Sequence, residues 1–187
     1  MQYRVCFVLW VMVFTSCGNK QVYNGDGMAN YPNLPEILKE NLLPYQKGAY
    51  MYQEVIYVNG KYDTNLLQAA QVDWNFYKNP FYEADIFKKE FDGKYKLDIV
   101  EDEYANSRKY IYSAVDLKAI TKYVSVNVRS TDNAVMSVYA ETSDLGFLQS
   151  KSYKLLFATT KSVQVQIRSK KPFSKERHEI RTLSFLN

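Results

Sequence analysis

The stretch YVSVNVR, residues 123–129, alternates between apolar valines and more polar side chains. Valine is branched at Cβ and favours extended backbone, and successive side chains of a strand point to opposite faces. One face of this segment is therefore apolar and the other is polar. This pattern is typical of a strand in a sheet that is covered on one side only. The stretch VQVQIR, residues 163–168, repeats the pattern and predicts a second such strand.

Further strands are predicted along most of the chain. Asn59-Gly60 indicates a tight hairpin turn, because both turn positions of that hairpin need positive φ. Short polar turns separate the other segments, at a spacing that favours an antiparallel meander. The additional predicted strands are 50–58, 61–68, 95–99, 110–114, 135–141, 153–158 and 178–186.

Two short helices are predicted before and between these strands. Asn33 suits the cap of the first helix, with Pro35 in its first turn, and the helix is expected to end at Pro44 and Gly48. The second is expected over about residues 73 to 89, as one helix or as two pieces broken at Pro80. The residues at helical spacing are Leu34, Ile37, Leu38 and Leu42 in the first, and Trp74, Tyr77, Phe81 and Ala84 in the second.

These elements predict an α+β fold that is mainly β. We expect a curved antiparallel meander sheet of about seven to nine strands, with one or two short helices packed on one face. A closed lipocalin-like barrel is the alternative, because a meander of this length can also close on itself.

The N-terminal residues have the plan of a secretory signal. Arg4 precedes VCFVLWVMVF, residues 5–14, and small polar residues follow. An apolar run of this length is too short to cross a bilayer core of about 30 Å, which takes roughly 20 residues. We therefore predict that residues 1–16 are a signal peptide.

Phe14-Thr15-Ser16-Cys17 resembles the lipobox of bacterial lipoproteins. The resemblance implies that Cys17 becomes the lipidated first residue of the mature chain. One acyl chain binds a membrane reversibly, whereas two or more hold it stably, since each buried CH₂ contributes about 0.8 kcal/mol. The alternative is an ordinary signal peptide in which Cys17 is incidental.

The remaining chain predicts one domain behind a tether. Residues 18–32 are polar, contain three glycines and lack periodicity, so residues 17–32 are expected to form a lipidated N-terminus and a flexible tether. Residues 33–187 are expected to fold as a single α+β domain. The two cysteines, Cys6 and Cys17, both precede this domain, which must therefore be stabilised by burial and not by disulfides.

The sequence offers little catalytic or metal-binding chemistry. His178 is the one histidine, and Ser174 and Ser184 do not converge on it by strand spacing alone. The acidic run at residues 101–103 is typical of a charged hairpin tip, and Glu83 with Asp85 is a carboxylate pair that almost any chain could supply. We predict no catalytic residues, no metal site and no cofactor, and expect that the protein is not an enzyme.

A basic run near the C-terminus is a candidate contact with an anionic surface, because lysine and arginine near such a surface contribute about 1 kcal/mol each. The alternative is a solvated hairpin loop. The net charge of +4 is too small to favour nucleic acid as a partner. The residues of the run are Arg168, Lys170, Lys171, Lys175 and Arg177.

The 17 tyrosines recur in nearly every predicted element. Tyrosine is favoured in strands and suits a half-exposed sheet, which accounts for most of them. A concave aromatic surface that binds an apolar ligand, a glycan or a partner protein is the functional hypothesis.

Four further stretches carry a resemblance to a known family: VNGKYDT (58–64), DWNFY (73–77), ADIFKKEFDGKY (84–95) and YIYSAVDLKAITKYVSV (110–126). In this order they resemble a small family of Bacteroidota lipoproteins without an assigned activity. The resemblance implies an outer-membrane lipoprotein and transfers no functional residue. Gly18-Asn19-Lys20-Gln21 lacks the acidic residues that mark surface export in that phylum, which favours the periplasmic side. We therefore expect a binding module with an envelope protein or apolar ligand as partner, or alternatively a lipid carrier with a half-barrel cavity or an envelope hydrolase.

Overall fold

A computed structural model describes residues 31–146 and 148–186 of the chain. The predicted signal peptide, Cys17 and the predicted tether as far as residue 30 lie outside the described residues. Tyr31 and Pro32, which precede the predicted start of the domain, lie against the sheet.

The described residues form nine strands and two α-helices, in the order α1, β1, β2, α2 and then β3 to β9. The helices are α1 (Leu34–Lys47) and α2 (Trp74–Glu83). The strands are β1 (Met51–Val58), β2 (Lys61–Gln68), β3 (Tyr95–Asp102), β4 (Ser107–Ala114), β5 (Thr121–Arg129), β6 (Val135–Leu145), β7 (Ser150–Ala158), β8 (Ser162–Lys170) and β9 (Arg177–Leu186).

All nine strands belong to one antiparallel sheet with the order β2-β1-β9-β8-β7-β6-β5-β4-β3. Strands β3 to β9 form a continuous meander, and the hairpin of β1 and β2 joins it by pairing β1 with β9. The sheet is open, with β2 and β3 at its edges. The predicted α+β fold, mainly β with a meander sheet, is confirmed, and the closed-barrel alternative is wrong.

The Asn59-Gly60 turn is confirmed by its backbone. Asn59 has φ 47° and Gly60 has φ 92°, so both residues lie in the left-handed region that this two-residue turn needs. The hairpin pairs Val58 with Lys61 and continues in register to Met51 and Gln68.

Helix α1 begins and ends as predicted, but Pro44 lies inside it. The Asn33 side chain accepts a hydrogen bond from the Glu36 backbone N–H at 3.1 Å and so caps the first turn. The predicted end at Gly48 is confirmed, because the helix continues to Lys47 and Gly48 is its C-cap, whereas Pro44 lies inside the helix and does not end it. Proline removes only its own N–H, and the Pro44 carbonyl still accepts from the Gly48 N–H at 3.0 Å.

Helix α2 is shorter than predicted and is not broken at Pro80. Asp73 caps it by accepting from the Phe76 N–H at 3.1 Å. Pro80 lies inside the helix and is buried, and the helix ends at Glu83 and not near residue 89. A separate 3₁₀ turn covers Lys89–Phe91.

Both helices pack on one face of the sheet and enclose the core between them and the strands. The opposite face carries mostly polar residues at the alternate strand positions, as the alternation in β5 and β8 predicts. The largest fully buried side chains are Tyr52, Tyr77, Phe81, Phe157, Leu34, Leu38, Leu42, Ile86, Leu155 and Leu183.

Candidate functional site

An apolar groove of about 530 Å³ lies on the helix-bearing face, between the start of α1 and strands β3, β4 and β5. Every residue that lines it is apolar or aromatic. Leu97, Ile99, Tyr110 and Val126 contribute to its floor, and Tyr31, Pro32 and Ile37 lie beside them.

The strand register explains the apolar floor. Ile99 pairs with Tyr110, and Tyr110 pairs with Val126, so one row of side chains crosses β3, β4 and β5 on the same face. Helix α2 packs against β7 and β8, away from the floor of the groove. Ile99 consequently remains 48% exposed, although it points to the face that carries the core.

Tyr31 forms one side of the groove and is held by aromatic contacts. Its ring lies edge-on to the rings of Tyr95 and Tyr112, with centroid distances of 6.0 Å and 5.8 Å. The Leu34 backbone N–H donates to Asp85 Oδ1 at 3.0 Å and fixes the start of α1 against the segment that follows α2. This side of the groove is therefore held in place by contacts between residues 31–34 and later parts of the chain.

A polar group lies beside the groove on β4. Arg108 faces the same side of the strand as Tyr110, and its guanidinium contacts Glu101 Oε1 at 2.7 Å. Hydrogen bonds with Tyr110 and with Glu101 raise the pKa of Arg108, so this group stays cationic. An amphipathic molecule on the groove floor would meet a polar group at this position.

The residues of the predicted basic run are separated by the structure. Register places Arg168 and Lys170 on the polar face. Both line a cavity of about 290 Å³ at the end of β7 and β8, which Lys151 and Glu176 also line. Arg177 lies on the helix-bearing face and forms an ion pair with Glu179. Lys171 and Lys175 are exposed in the turn between β8 and β9.

His178 has structural contacts and no serine partner in the described part of the chain. Its ring Nε2 lies 2.9 Å from the Gln166 amide nitrogen, and its ring packs edge-on against Tyr57. Its backbone N–H donates to Asn59 Oδ1 at 2.8 Å and joins β9 to the first hairpin turn.

The predicted acidic candidates also have structural contacts. Asp85 accepts from the Leu34 N–H, and burial raises the pKa of its carboxyl group. Asp102 accepts from the Ala105 N–H at 2.9 Å inside the hairpin between β3 and β4. Within residues 31–146 and 148–186, no group of three or more metal-ligating side chains comes together.

A buried carboxylate under α2 was not predicted from the sequence. Glu179 is 5% exposed and accepts from Arg177 at 2.8 Å and from Arg181 at 2.7 Å. The Arg181 guanidinium lies 4.2 Å from the centre of the Phe76 ring on α2. These contacts balance the charge of Glu179 and hold α2 against β9.

Tyr77 forms a second polar contact between α2 and the sheet. Its hydroxyl donates to Glu54 Oε1 at 2.8 Å, and both side chains are buried. Burial and this hydrogen bond raise the pKa of Tyr77, so its hydroxyl remains a donor at neutral pH. This hydrogen bond holds α2 against β1.

Among the described residues, none of the helices has the length and hydrophobicity that a membrane-spanning helix requires. Comparison of the chain with protein-family models, with curated proteins and with solved structures finds no match.

Proposed function

We propose that this protein is a non-catalytic binding module of the bacterial cell envelope, anchored through a lipid on Cys17, and that its apolar groove binds the acyl chain of an amphipathic lipid. The observation that carries the proposal is the groove on β3, β4 and β5, with its wholly apolar and aromatic lining. Between the two binding hypotheses, this groove favours an apolar ligand over a flat protein-docking face.

The size and polarity of the groove suit an acyl chain. Its volume of about 530 Å³ falls within the range of roughly 300–1,000 Å³ that is usual for small-ligand sites. Ten buried CH₂ groups would contribute roughly 8 kcal/mol before the cost of association is subtracted. The Arg108–Glu101 pair beside the floor gives a polar head group a place to lie.

The lining also supports binding without catalysis. Tyrosine hydroxyls are the only titratable groups among the lining residues, which include no carboxylate, histidine, lysine, cysteine or serine. General acid–base or nucleophilic catalysis needs such a group within hydrogen-bond reach of the reacting atom. An envelope hydrolase would have to place its chemistry elsewhere.

The location rests on the N-terminal sequence and on the resemblance to Bacteroidota lipoproteins. We propose the outer membrane, with the domain on the periplasmic side. An envelope protein remains a second kind of partner.

Ligand binding is tested with two aspartate substitutions on one strand. Ile99 and Val100 are 48% and 51% exposed, but they point to opposite faces of β3, and only Ile99 lines the groove. We expect Ile99→Asp to weaken binding of a fluorescent dansyl-labelled fatty acid by about tenfold or more, because a carboxylate on the floor must be desolvated by an apolar chain. The matched control Val100→Asp is expected to bind as the parent does.

Equal binding by the parent and Ile99→Asp, or absence of binding by the parent, would contradict the groove proposal. Native mass spectrometry of protein purified from its host, without delipidation, gives an independent readout of bound lipid. Thermal melts of both variants establish that they are folded.

The anchor is tested by Cys17→Ser. We expect the parent to incorporate radiolabelled palmitate and to sediment with membranes, and we expect the variant to do neither, because serine offers no thiol for acylation. Cys6→Ser is the matched control and is expected to keep both properties. Soluble parent protein without label would refute the anchor and leave the groove proposal untouched.

A further inference from the structure

A second cavity, of about 380 Å³, lies on the polar face of the sheet, on the side away from the groove. Its lining combines the aromatic rings of Tyr123 and Tyr139, the aliphatic side chain of Leu156, two serines, Lys109 and Glu141. The strand register accounts for the grouping. Ser125 pairs with Tyr139, and Tyr139 pairs with Leu156, so these side chains form one row across β5, β6 and β7.

Two tyrosine rings supply the apolar part of this cavity. Tyr123 and Tyr139 have ring centroids 5.9 Å apart at an interplanar angle of 66°. Both rings are only partly buried, and Leu156 beside them is 36% exposed. The rings therefore present an apolar patch to a ligand while their mutual contact fixes their orientation.

A carboxylate is held in position next to the rings. The Tyr139 hydroxyl donates to Glu141 Oε1, and Lys154 Nζ lies 3.3 Å from the same oxygen. Burial is the main cause that raises the pKa of Tyr139, and the hydrogen bond to Glu141 raises it further. The phenol therefore stays a hydrogen-bond donor. A fixed carboxylate of this kind accepts hydrogen bonds from hydroxyl groups.

The charge of the cavity is not balanced within it. Glu141 has Lys154 as its partner, whereas Lys109 makes no ion pair with another residue in the described part of the chain. Between Lys109 and Ser137 in the register lies Asn127, whose buried Oδ1 has no hydrogen-bond partner. The neighbouring row of Lys109, Asn127 and Ser137 therefore has a positive charge without an ion-pair partner and an amide oxygen without a hydrogen bond.

From these features we infer that the polar face binds an acidic oligosaccharide, one that contains a uronic acid. A sugar ring has an apolar face for Tyr123, Tyr139 and Leu156, and hydroxyl groups for Glu141 and the serines. Its carboxylate complements the charge of Lys109. A neutral sugar leaves that charge unmatched, and a protein interface is usually depleted in lysine and serine, both of which line this cavity.

The test is binding of a panel of uronic-acid oligosaccharides, measured by calorimetry on the full-length protein at low salt. The panel contains oligogalacturonate, oligomannuronate and a glucuronate-containing oligosaccharide, and each is paired with its neutral methyl ester. We expect at least one acidic member to bind at least tenfold more tightly than its ester, and the difference to shrink as salt is added, because an exposed ion pair is screened.

Two charge-reversal variants connect this binding to the cavity. Lys109→Glu is expected to weaken it at least tenfold, whereas Lys118→Glu, which makes the same charge change in an exposed loop, is expected to stay within about twofold of the parent. Tyr123→Ala is expected to weaken binding of the acid and of the ester alike, because it removes ring contact and not charge.

The inference is overturned if no panel member binds below 1 mM, if esters bind as tightly as acids, or if Lys109→Glu binds as the parent does. Capture of a protein partner that Lys109→Glu also loses, with no sugar bound, would likewise overturn it. These outcomes are independent of the fatty-acid assay, because the groove and this cavity lie on opposite faces of the sheet.

Discussion

Replacing Leu38 by alanine is expected to lower the free energy of unfolding by about 3–5 kcal/mol, the upper part of the range for buried leucines. Leu38 is fully buried in the second turn of α1 and belongs to the core between that helix and the sheet. Alanine removes apolar surface that had been taken out of water and leaves a cavity beneath the helix, and both effects destabilise the fold.

The matched control for this substitution is Leu43→Ala, in the same helix. Leu43 is 40% exposed, so its replacement removes fewer contacts and leaves no enclosed cavity. We expect that variant to lose less than about 1 kcal/mol. Both substitutions replace leucine by alanine in the same helix, so they change the helix propensity equally. The difference between the two losses in free energy of unfolding therefore measures the effect of burial.

Urea unfolding followed by circular dichroism measures both free energies. A domain of this size is usually stable by about 5–15 kcal/mol, so the loss at Leu38 is large enough to shift the midpoint clearly. Equal losses at Leu38 and Leu43 would mean that α1 does not cover the core as described.

The strands were predictable because their signal is local. The alternation of apolar and polar residues in 123–129 and 163–168 indicates which face of each strand is buried. The Asn59-Gly60 pair predicts a two-residue hairpin turn. Each of these signals depends on neighbouring residues in the chain. The structure accordingly confirms the strands and the first hairpin.

The prolines show where local reasoning fails. Pro44 and Pro80 were expected to end or break helices, yet both lie inside them. The rule against proline in a helix describes a cost of about 3 kcal/mol, and packing against a sheet can exceed that cost. Pro80 is itself buried, so tertiary burial outweighs the local preference at this position.

Neither candidate site could be read from the sequence. The groove needs Ile99, Tyr110 and Val126 in one row, and the polar-face cavity needs Lys109 close to Tyr139. Both rows depend on the pairing register between strands, which alternation alone leaves undetermined. The basic run shows that closeness in sequence does not ensure closeness in the fold. Arg168 and Arg177 belong to the same run, yet they lie on opposite faces of the sheet.

Raising the pH from 10 to 12 is expected to destabilise the protein steeply. Burial raises the pKa values of Tyr52, Tyr95 and Tyr112 to about 12 in the folded protein. In the unfolded chain a tyrosine has a pKa of about 10. Between these two values the unfolded state has lost protons that the folded state still holds.

The sign of the effect follows from this difference in bound protons. Stability changes with pH in proportion to the protons bound by the unfolded state minus those bound by the folded state, and here that difference is negative. The contribution of each tyrosine is therefore fully present below pH 10 and is lost as the pH rises through about 12. Each adds a slope of at most about 1.4 kcal/mol per pH unit, so the three together add less than about 4 kcal/mol per pH unit. Tyr77 and Tyr139, whose pKa values are also raised, add to this slope in the same direction.

Two tyrosine-to-phenylalanine variants separate this effect from general alkaline damage. The Tyr95 hydroxyl donates to the Thr121 carbonyl at 2.8 Å in the core. Tyr95→Phe removes one of the five tyrosine ionisations whose pKa is raised most strongly, so its slope between pH 10 and 12 should fall by about a fifth. Tyr104 is fully exposed, and Tyr104→Phe should keep the slope of the parent. Urea unfolding at several pH values gives the slopes, and phenolate absorbance at 295 nm follows the ionisation directly. If all tyrosines of the folded protein ionised together near pH 10, the buried rings would have to be open to water, and the packing of Tyr52, Tyr95 and Tyr112 in the core would be refuted.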